Sequence, residues 1–242
     1  AKIRRYEREL LRMAGVVFVT SKNLLRCKSP YSDRVHFVPN GADYAHFSKA
    51  ALPETPVAAE MQKIRKPIVG YLGTIHSQTD IALLCYAAHN RPDWSFVLIG
   101  PEQDPVFSRS ALFTEFRGLA NVHLLGWIES DDLPSYMKAF DVCVIPYRVD
   151  SEFNQFVYPN KVNEYLATGK PVVATRIPEL EPFEDLIYSA RDKNDFVRGI
   201  AQAVASDTPE LVSRRLQVAR ENSWENRTKE MIRILEQYVE RL

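Results

Sequence analysis

From about residue 68 onward the chain repeats one alternation: a short apolar run, a turn, then a segment whose apolar positions recur at helical spacing. Residues 68–72, 96–100, 122–125, 142–146 and 172–175 are near-continuous in aliphatic and β-branched side chains, as strands buried on both faces are. Between them, residues 81–88, 106–119 and 136–140 read as helices, with Asp131 or Asp132 as a candidate cap for the last. A further short strand near 186–188 precedes a helix over 195–205. Strands of this kind alternating with helices predict an α/β fold, a doubly wound parallel sheet of Rossmann-like type.

The two ends break the rhythm. Residues 2–14 pattern as a charged amphipathic helix, 16–20 as a strand, 21–27 as a short helix and 35–38 as a strand closing on Pro39-Asn40-Gly41. At the other end Met231, Ile232, Ile234, Leu235 and Tyr238 give a helix from 224 to 242 its apolar stripe. No internal repeat or low-complexity tract interrupts the 242 residues.

Charge and cysteine content narrow the function. Thirty-one basic and 31 acidic residues cancel, which removes the electrostatic case for nucleic acid as the main partner. Cys27, Cys85 and Cys143 are odd in number and far apart, and Cys85 and Cys143 fall in apolar contexts that suit buried reduced thiols. No Cys-x-x-Cys, His-x-x-x-His or Asp-x-Asp pair suggests a metal, and His36, His46, His89 and His123 read as scattered surface or strand residues. No Gly-x-Gly-x-x-Gly supports a hydride-transfer cofactor. Neither a signal peptide nor an apolar run of transmembrane length is present, so the expected location is cytoplasmic, with loose docking on the inner membrane face left open.

The most informative stretch is 158–175, Tyr-Pro-Asn-Lys-Val-Asn-Glu-Tyr-Leu-Ala-Thr-Gly-Lys-Pro-Val-Val-Ala-Thr. Pro159 suits the first helical position, Gly169 suits the left-handed residue past the helix end, and Pro171 onward reads as a strand. Free N–H groups at the helix start, a lysine and a carboxylate together suit a phosphate ester with hydroxyls beside it.

This pattern, Pro-x-Lys-x-x-Glu-Tyr-Leu-Ala-x-Gly-Lys-Pro-Val-Val, resembles the nucleotide-sugar-binding segment of retaining glycosyltransferases of group 1, which have two Rossmann-like domains (the GT-B architecture). The resemblance implies that Glu164 holds the ribose hydroxyls of the donor. It also implies an organisation: residues 1–45 as the tail of an N-terminal acceptor domain plus linker, 46–222 as the donor-binding domain, and 223–242 as a helix crossing back towards the N-terminal remnant. On that reading about 150 further residues would precede this chain in a complete enzyme.

Other candidates lie at strand ends. Gly73-Thr74-Ile75-His76 follows the strand at 68–72, where a glycine lets backbone approach a phosphate. Relatives often carry an Arg and a Lys here to neutralise the diphosphate. This sequence has neither between Gly73 and Arg91, and offers His76 and Asp80 instead. Asp80 reads equally as a helix cap or a donor contact. The loop Gly126-Trp127-Ile128 is placed by the resemblance at the base, although Trp127 could equally plug the surface. Asn154, Gln155 and Tyr158 are hydrogen-bonding loop residues suited to the donor. Many relatives carry a second Glu eight positions before the ribose Glu; here that position is Phe156. Lys161, one turn before Glu164, is then the candidate diphosphate cation, against a plain solvent-facing lysine.

The expected activity is transfer of a sugar from a nucleoside diphosphate sugar to a hydroxyl on a saccharide or lipid-linked acceptor, with retention and without a metal or other cofactor, in polysaccharide biosynthesis. Catalytic groups beyond the donor site are expected in the missing domain, leaving the isolated chain inactive. A sugar-nucleotide epimerase of the same architecture and a non-catalytic nucleotide-binding or interaction module are the alternatives.

Overall fold

A computed structural model describes residues 2–239. The chain opens with α1 (Lys2–Met13), β1 (Val17–Val19), α2 (Lys22–Lys28) and β2 (Val35–Phe37), and β1 and β2 pair in parallel. A short helix, α3 (Tyr44–Phe47), leads into the main domain. There β3 (Ile68–Leu72), α4 (Ile81–Asn90), β4 (Ser95–Ile99), α5 (Pro105–Ser108), α6 (Ala111–Arg117) and β5 (Val122–Gly126) form the first half. The second half holds α7 (Leu133–Met137), β6 (Val142–Ile145), α8 (Asn160–Ala167), β7 (Val172–Thr175), β8 (Ile187–Ala190), α9 (Lys193–Ala205) and α10 (Pro209–Glu221). The helix α11 (Trp224–Val239) follows, and the expected extension of that helix to 242 lies outside the described residues.

Six strands form one parallel sheet in the order β5-β4-β3-β6-β7-β8. Counted within the sheet this is 3-2-1-4-5-6, the doubly wound order. Alternate residues of one strand serve opposite cores. Ile68 and Leu72 pack under α8 with Val162, Leu166 and Phe140, whereas Val69 and Tyr71 pack under α4 and α9 with Leu84, Phe96 and Phe196. Both faces are therefore dry, which is why the strands read as unbroken apolar runs. Gly70 is glycine for packing: a Cβ there would meet the Phe140 ring at 2.2 Å.

Several expected boundaries move. The single helix over 106–119 is two, α5 capped by Asp104 and α6 capped by Ser110, because Ser110 takes extended backbone and turns its hydroxyl to the Phe113 N–H. The helix expected to reach residue 140 ends at Met137, and Asp132 stands before it without a side-chain cap bond. Pro159 is the residue before the helix, at φ −72° and ψ 110°, so α8 begins at Asn160. Gly169, at φ +72°, does follow the end of α8 in the left-handed region.

The helix α10 is an addition to the elements expected from the sequence. It packs on α8 through Arg215, a residue only 3% exposed, whose guanidinium donates to the Gly169 carbonyl at 2.7 Å and to Asp207 at 3.1 Å. The last helix α11 meets the opening segment: His36 Nε2 and the Tyr238 hydroxyl lie 2.8 Å apart, and the Trp224 N–H donates to the Ala42 carbonyl at 3.0 Å. None of the described helices is long and apolar enough to cross a membrane.

Candidate functional site

The strand order reverses between β3 and β6, and the crevice beyond their carboxyl ends is where open α/β sheets take ligands. A cavity of ≈ 410 Å³ lies there, lined by Asn40, Leu72, Gly73, Thr74, His76, Tyr147, Phe153, Val157, Tyr158, Pro159, Asn160, Lys161 and Glu164. Three segments distant in sequence thus share one wall: the turn after β3, the loop after β6, and the first two turns of α8.

The sequence of α8 divides its faces. Val162, Tyr165 and Leu166 enter the core, and the Tyr165 hydroxyl accepts from the Leu72 N–H at 2.7 Å, fixing the helix against the end of β3. Lys161 and Glu164, three residues apart, fall on the side left over, facing the cavity. Asn160 and Asn163 meet the linker: Asn40 Nδ2 donates to Asn160 Oδ1 at 2.6 Å, and Asn163 Nδ2 donates to the Asn40 carbonyl at 3.0 Å.

Lys161 is 8% exposed and is not solvent-facing. Its Nζ donates to the Tyr71 hydroxyl at 3.2 Å and lies over the rings of Tyr71 and Tyr147, 4.4 and 4.8 Å from their centroids. Burial works against the ammonium, but the two tyrosines favour it and the net shift of its pKa is upward. Among the described residues no carboxylate pairs with it within 4.0 Å.

The Lys161 ammonium sits against Gly73, where a Cβ would lie 2.9 Å from Nζ. Gly73 has φ +134°, and its N–H donates to the Ile99 carbonyl at 2.8 Å. Gly100, at φ +137°, packs behind it so closely that a Cβ would be 2.3 Å from the Gly73 carbonyl oxygen. Only glycine at both positions permits this stacking of turns. His76 completes the wall. Its Nδ1 accepts from the Gln78 N–H at 3.1 Å, which assigns the proton to Nε2. Burial, then the Lys161 charge, lowers its pKa, so it is neutral near pH 7 and offers an N–H.

Glu164 stands half-buried, its carboxylate without a hydrogen bond to any described residue, and burial raises its pKa while the Lys161 charge opposes the rise. It is the single carboxylate in the lining. A hard divalent cation takes about six oxygens, so this donor set suits hydroxyls and a phosphate better than such an ion.

The remaining candidates are placed elsewhere. Asp80 caps α4, accepting from the Leu83 N–H at 2.9 Å, and lines a separate cavity of ≈ 360 Å³ with Arg191 and Lys193. Asn154 is 1% exposed and holds the loop after β6, donating to the carbonyls of Arg148 at 2.9 Å and Gln78 at 3.3 Å. Gln155 is likewise turned to backbone, its Nε2 on the Val149 carbonyl at 2.9 Å. Gly126 ends β5 with φ +68° and its carbonyl accepts from the Gly100 N–H at 2.7 Å. Trp127 is 67% exposed with its indole N–H on Glu129, and Ile128 packs on the core below. Tyr158 does line the cavity, its hydroxyl accepting from Asn163 at 2.9 Å.

Tyr147, Phe153 and Val157 of the candidate loop 147–158 also line the cavity, as do Asn40 and Asn160, which are not candidates by sequence. Tyr147 had a signal, standing just past the strand at 142–146 and thus at the crevice. Asn40 had none, since its place depends on how the linker folds back on α8.

Known proteins share this sequence and shape. The family model for glycosyl transferases group 1 matches residues 66–206. A Bacillus subtilis (strain 168) protein assigned to teichuronic acid biosynthesis as the glycosyltransferase TuaH is 27% identical over 236 residues. That match takes in 90% of this chain but 58% of the relative, so the chain spans a little over half of its length. Among solved structures, Anabaena HepE, crystallised with UDP and glucose, superposes with a TM-score of 0.73 at 15% identity, over 96% of this chain and 66% of that one. Sucrose-phosphate synthase of Thermosynechococcus elongatus gives 0.73 at 22% identity, over 98% and 61%. The fold is that of the GT-B glycosyltransferases, and the chain belongs to the group 1 glycosyltransferase family.

Proposed function

We propose that this chain forms the donor-binding lobe of a retaining glycosyltransferase, which moves a sugar from a nucleoside diphosphate sugar to a hydroxyl of a saccharide or lipid-linked acceptor. The observation that carries the reading is the Lys161 ammonium, buried against the positive-φ turn of Gly73 without a carboxylate partner among the described residues. A diphosphate there would meet that charge, the His76 N–H and the backbone of a glycine turn. Glu164, free of internal partners, would accept from the ribose hydroxyls. The leaving diphosphate gains charge as the glycosidic bond breaks, so a cation already in place favours the transition state without reorganising.

Phe156 stands where many relatives carry a second Glu for the sugar, so sugar contacts must come from other groups. Acceptor binding and groups acting across the cleft would belong to a second lobe. The isolated chain should therefore bind nucleotide weakly and transfer little or no sugar.

Calorimetric titration of the chain with UDP and with GDP tests this. We expect Lys161→Ala to weaken the preferred nucleotide about 10-fold or more, as loss of a charge-assisted bond does. Glu164→Ala should erase the preference for a ribose over a 2′,3′-dideoxyribose nucleotide. No binding at millimolar UDP or GDP would sink the donor reading and favour an interaction module. Acceptor-free isomerisation of the sugar nucleotide would favour the epimerase.

A further inference from the structure

On the far side of the sheet from α8, the helices α4 and α6 bring a thiol, an imidazole and a carboxylate together. Cys85 and His89 are four residues apart on α4 and therefore on one face. Glu115 reaches them from α6, and one ligand atom from each of the three lies within 4.8 Å of the others. Glu115 Oε1 is the point of convergence, 2.9 Å from His89 Nε2 and 3.7 Å from Cys85 Sγ. A solitary cysteine or a surface His–Glu pair would mean little. Sulfur, nitrogen and oxygen donors converging from two helices define a first-row metal donor set.

The distances can be compared with a tetrahedral ion. Zinc bonds of about 2.3 Å to sulfur and about 2.1 Å to nitrogen and oxygen place the ligand atoms roughly 3.6 Å (S to O) and 3.4 Å (N to O) apart. The S–O separation of 3.7 Å already fits, and the N–O pair at 2.9 Å needs to open by about half an ångström. His89 and Glu115 are exposed side chains able to make that adjustment, while Cys85, 4% exposed, is fixed in the core. Ions can enter from solvent on the exposed side, and three protein ligands leave a fourth position for water.

We infer that Cys85, His89 and Glu115 form a binding site for a single zinc-type divalent ion, which ties α4 to α6 and lies apart from the donor cavity. On binding, the Cys85 thiol releases its proton to solvent and the ion takes the thiolate, the neutral imidazole and the carboxylate, without any change of oxidation state. The role we assign it is structural: α4 supplies Cys85 and His89, α6 supplies Glu115, and the ion joins the two helices.

The test uses the full chain, stripped with a chelator, and titrated with Zn²⁺ and with Co²⁺ as a spectroscopic probe. We expect one ion per chain, a thiolate-to-cobalt charge-transfer band in the near ultraviolet, and a Zn²⁺-dependent rise in melting temperature. Cys85→Ser should abolish the band, and Glu115→Gln and His89→Ala should each weaken Zn²⁺ at least about 10-fold, the size of losing one ligand-grade interaction. Glu164→Gln should leave Zn²⁺ affinity unchanged. The cobalt spectrum of the unaltered chain requires no variant to fold: its lack of a thiolate band would overturn the site. So would Zn²⁺ affinity that survives all three ligand substitutions.

Discussion

Lys161 holds its charge in the unbound fold. Its buried ammonium has given up water for two tyrosines, which outweigh the effect of burial, and has no ion pair among the described residues. Lys161→Met keeps the length of the side chain and removes the charge. We expect the melting temperature to hold steady or fall by up to about 4 °C, since about 1 kcal/mol moves a chain of this size by 2–4 °C. Nucleotide affinity should fall in the same variant. A melting temperature lowered by more than about 4 °C would mean that the ammonium is structural. Glu164 makes a second residue-scale prediction, through pH. Burial raises its folded pKa, with the Lys161 charge opposing, so above the ordinary carboxylate value the folded chain still holds a proton that the unfolded chain has lost. Its contribution to stability is therefore greatest at acid pH and declines as pH rises through the raised pKa. Ribose hydroxyls need the carboxylate, so affinity runs the other way and weakens as pH falls through that value. Glu164→Gln should flatten both slopes. Unfolding curves and nucleotide titrations across pH 4–8 check the pair, and a wild-type slope retained by the Gln variant would assign it to another group.

Among the elements, α4 shows how a residue typical of a site can serve the helix. Asp80 stands at the carboxyl end of the sheet, yet its carboxylate is turned to the Leu83 N–H and its own N–H donates to the Pro146 carbonyl at 2.7 Å. Asp80→Ala should cost about 1 kcal/mol, as loss of a helix cap does, while nucleotide affinity stays within about 3-fold of wild type. Paired thermal melts and calorimetry read both quantities; a larger loss of affinity would return Asp80 to the donor. The same physics sets what the sequence could reveal. The central strands were legible because they are buried on both faces and almost wholly apolar, and α8 was legible because Gly169 marks its end and Val162, Tyr165 and Leu166 give it a core side opposite Lys161 and Glu164. The helix α10 was harder to read, because Arg215 interrupts the apolar stripe of Val212, Leu216 and Ala219 and is buried there on the Gly169 carbonyl and Asp207. Likewise Asn154 and Gln155 looked like ligand groups, since an amide that binds backbone has the same letter as one that binds sugar.

At the scale of the whole molecule, the opening segment is held to the main domain by polar contacts next to the cavity. Glu179 is 2% exposed, follows β7, and accepts from the Lys22 N–H at 2.7 Å at the start of α2. Asn40 and Asn160 join the linker to α8 beside it, and α11 returns to His36 on the outer side. Glu179 is thus the tie to the start of α2, while Asn40 and Ala42 are tied separately to α8 and α11. Removing it takes the partner from the part-buried N–H groups of Lys22 and Asn23 at the start of α2, which costs about 1–3 kcal/mol. Where that cost is felt depends on whether the two regions unfold together. If they form one cooperative unit, Glu179→Ala lowers the stability of β3 to β8 as much as that of β1 and β2. A two-stranded sheet is marginal alone, and the six-stranded sheet has its own cores on both faces. We therefore expect the loss to be local. Amide hydrogen exchange should quicken by about 5- to 100-fold across residues 17–37, with protection of 68–72 and 142–145 unchanged. Uniformly faster exchange along the chain would show a single unit instead, with Glu179 part of the stability of the whole.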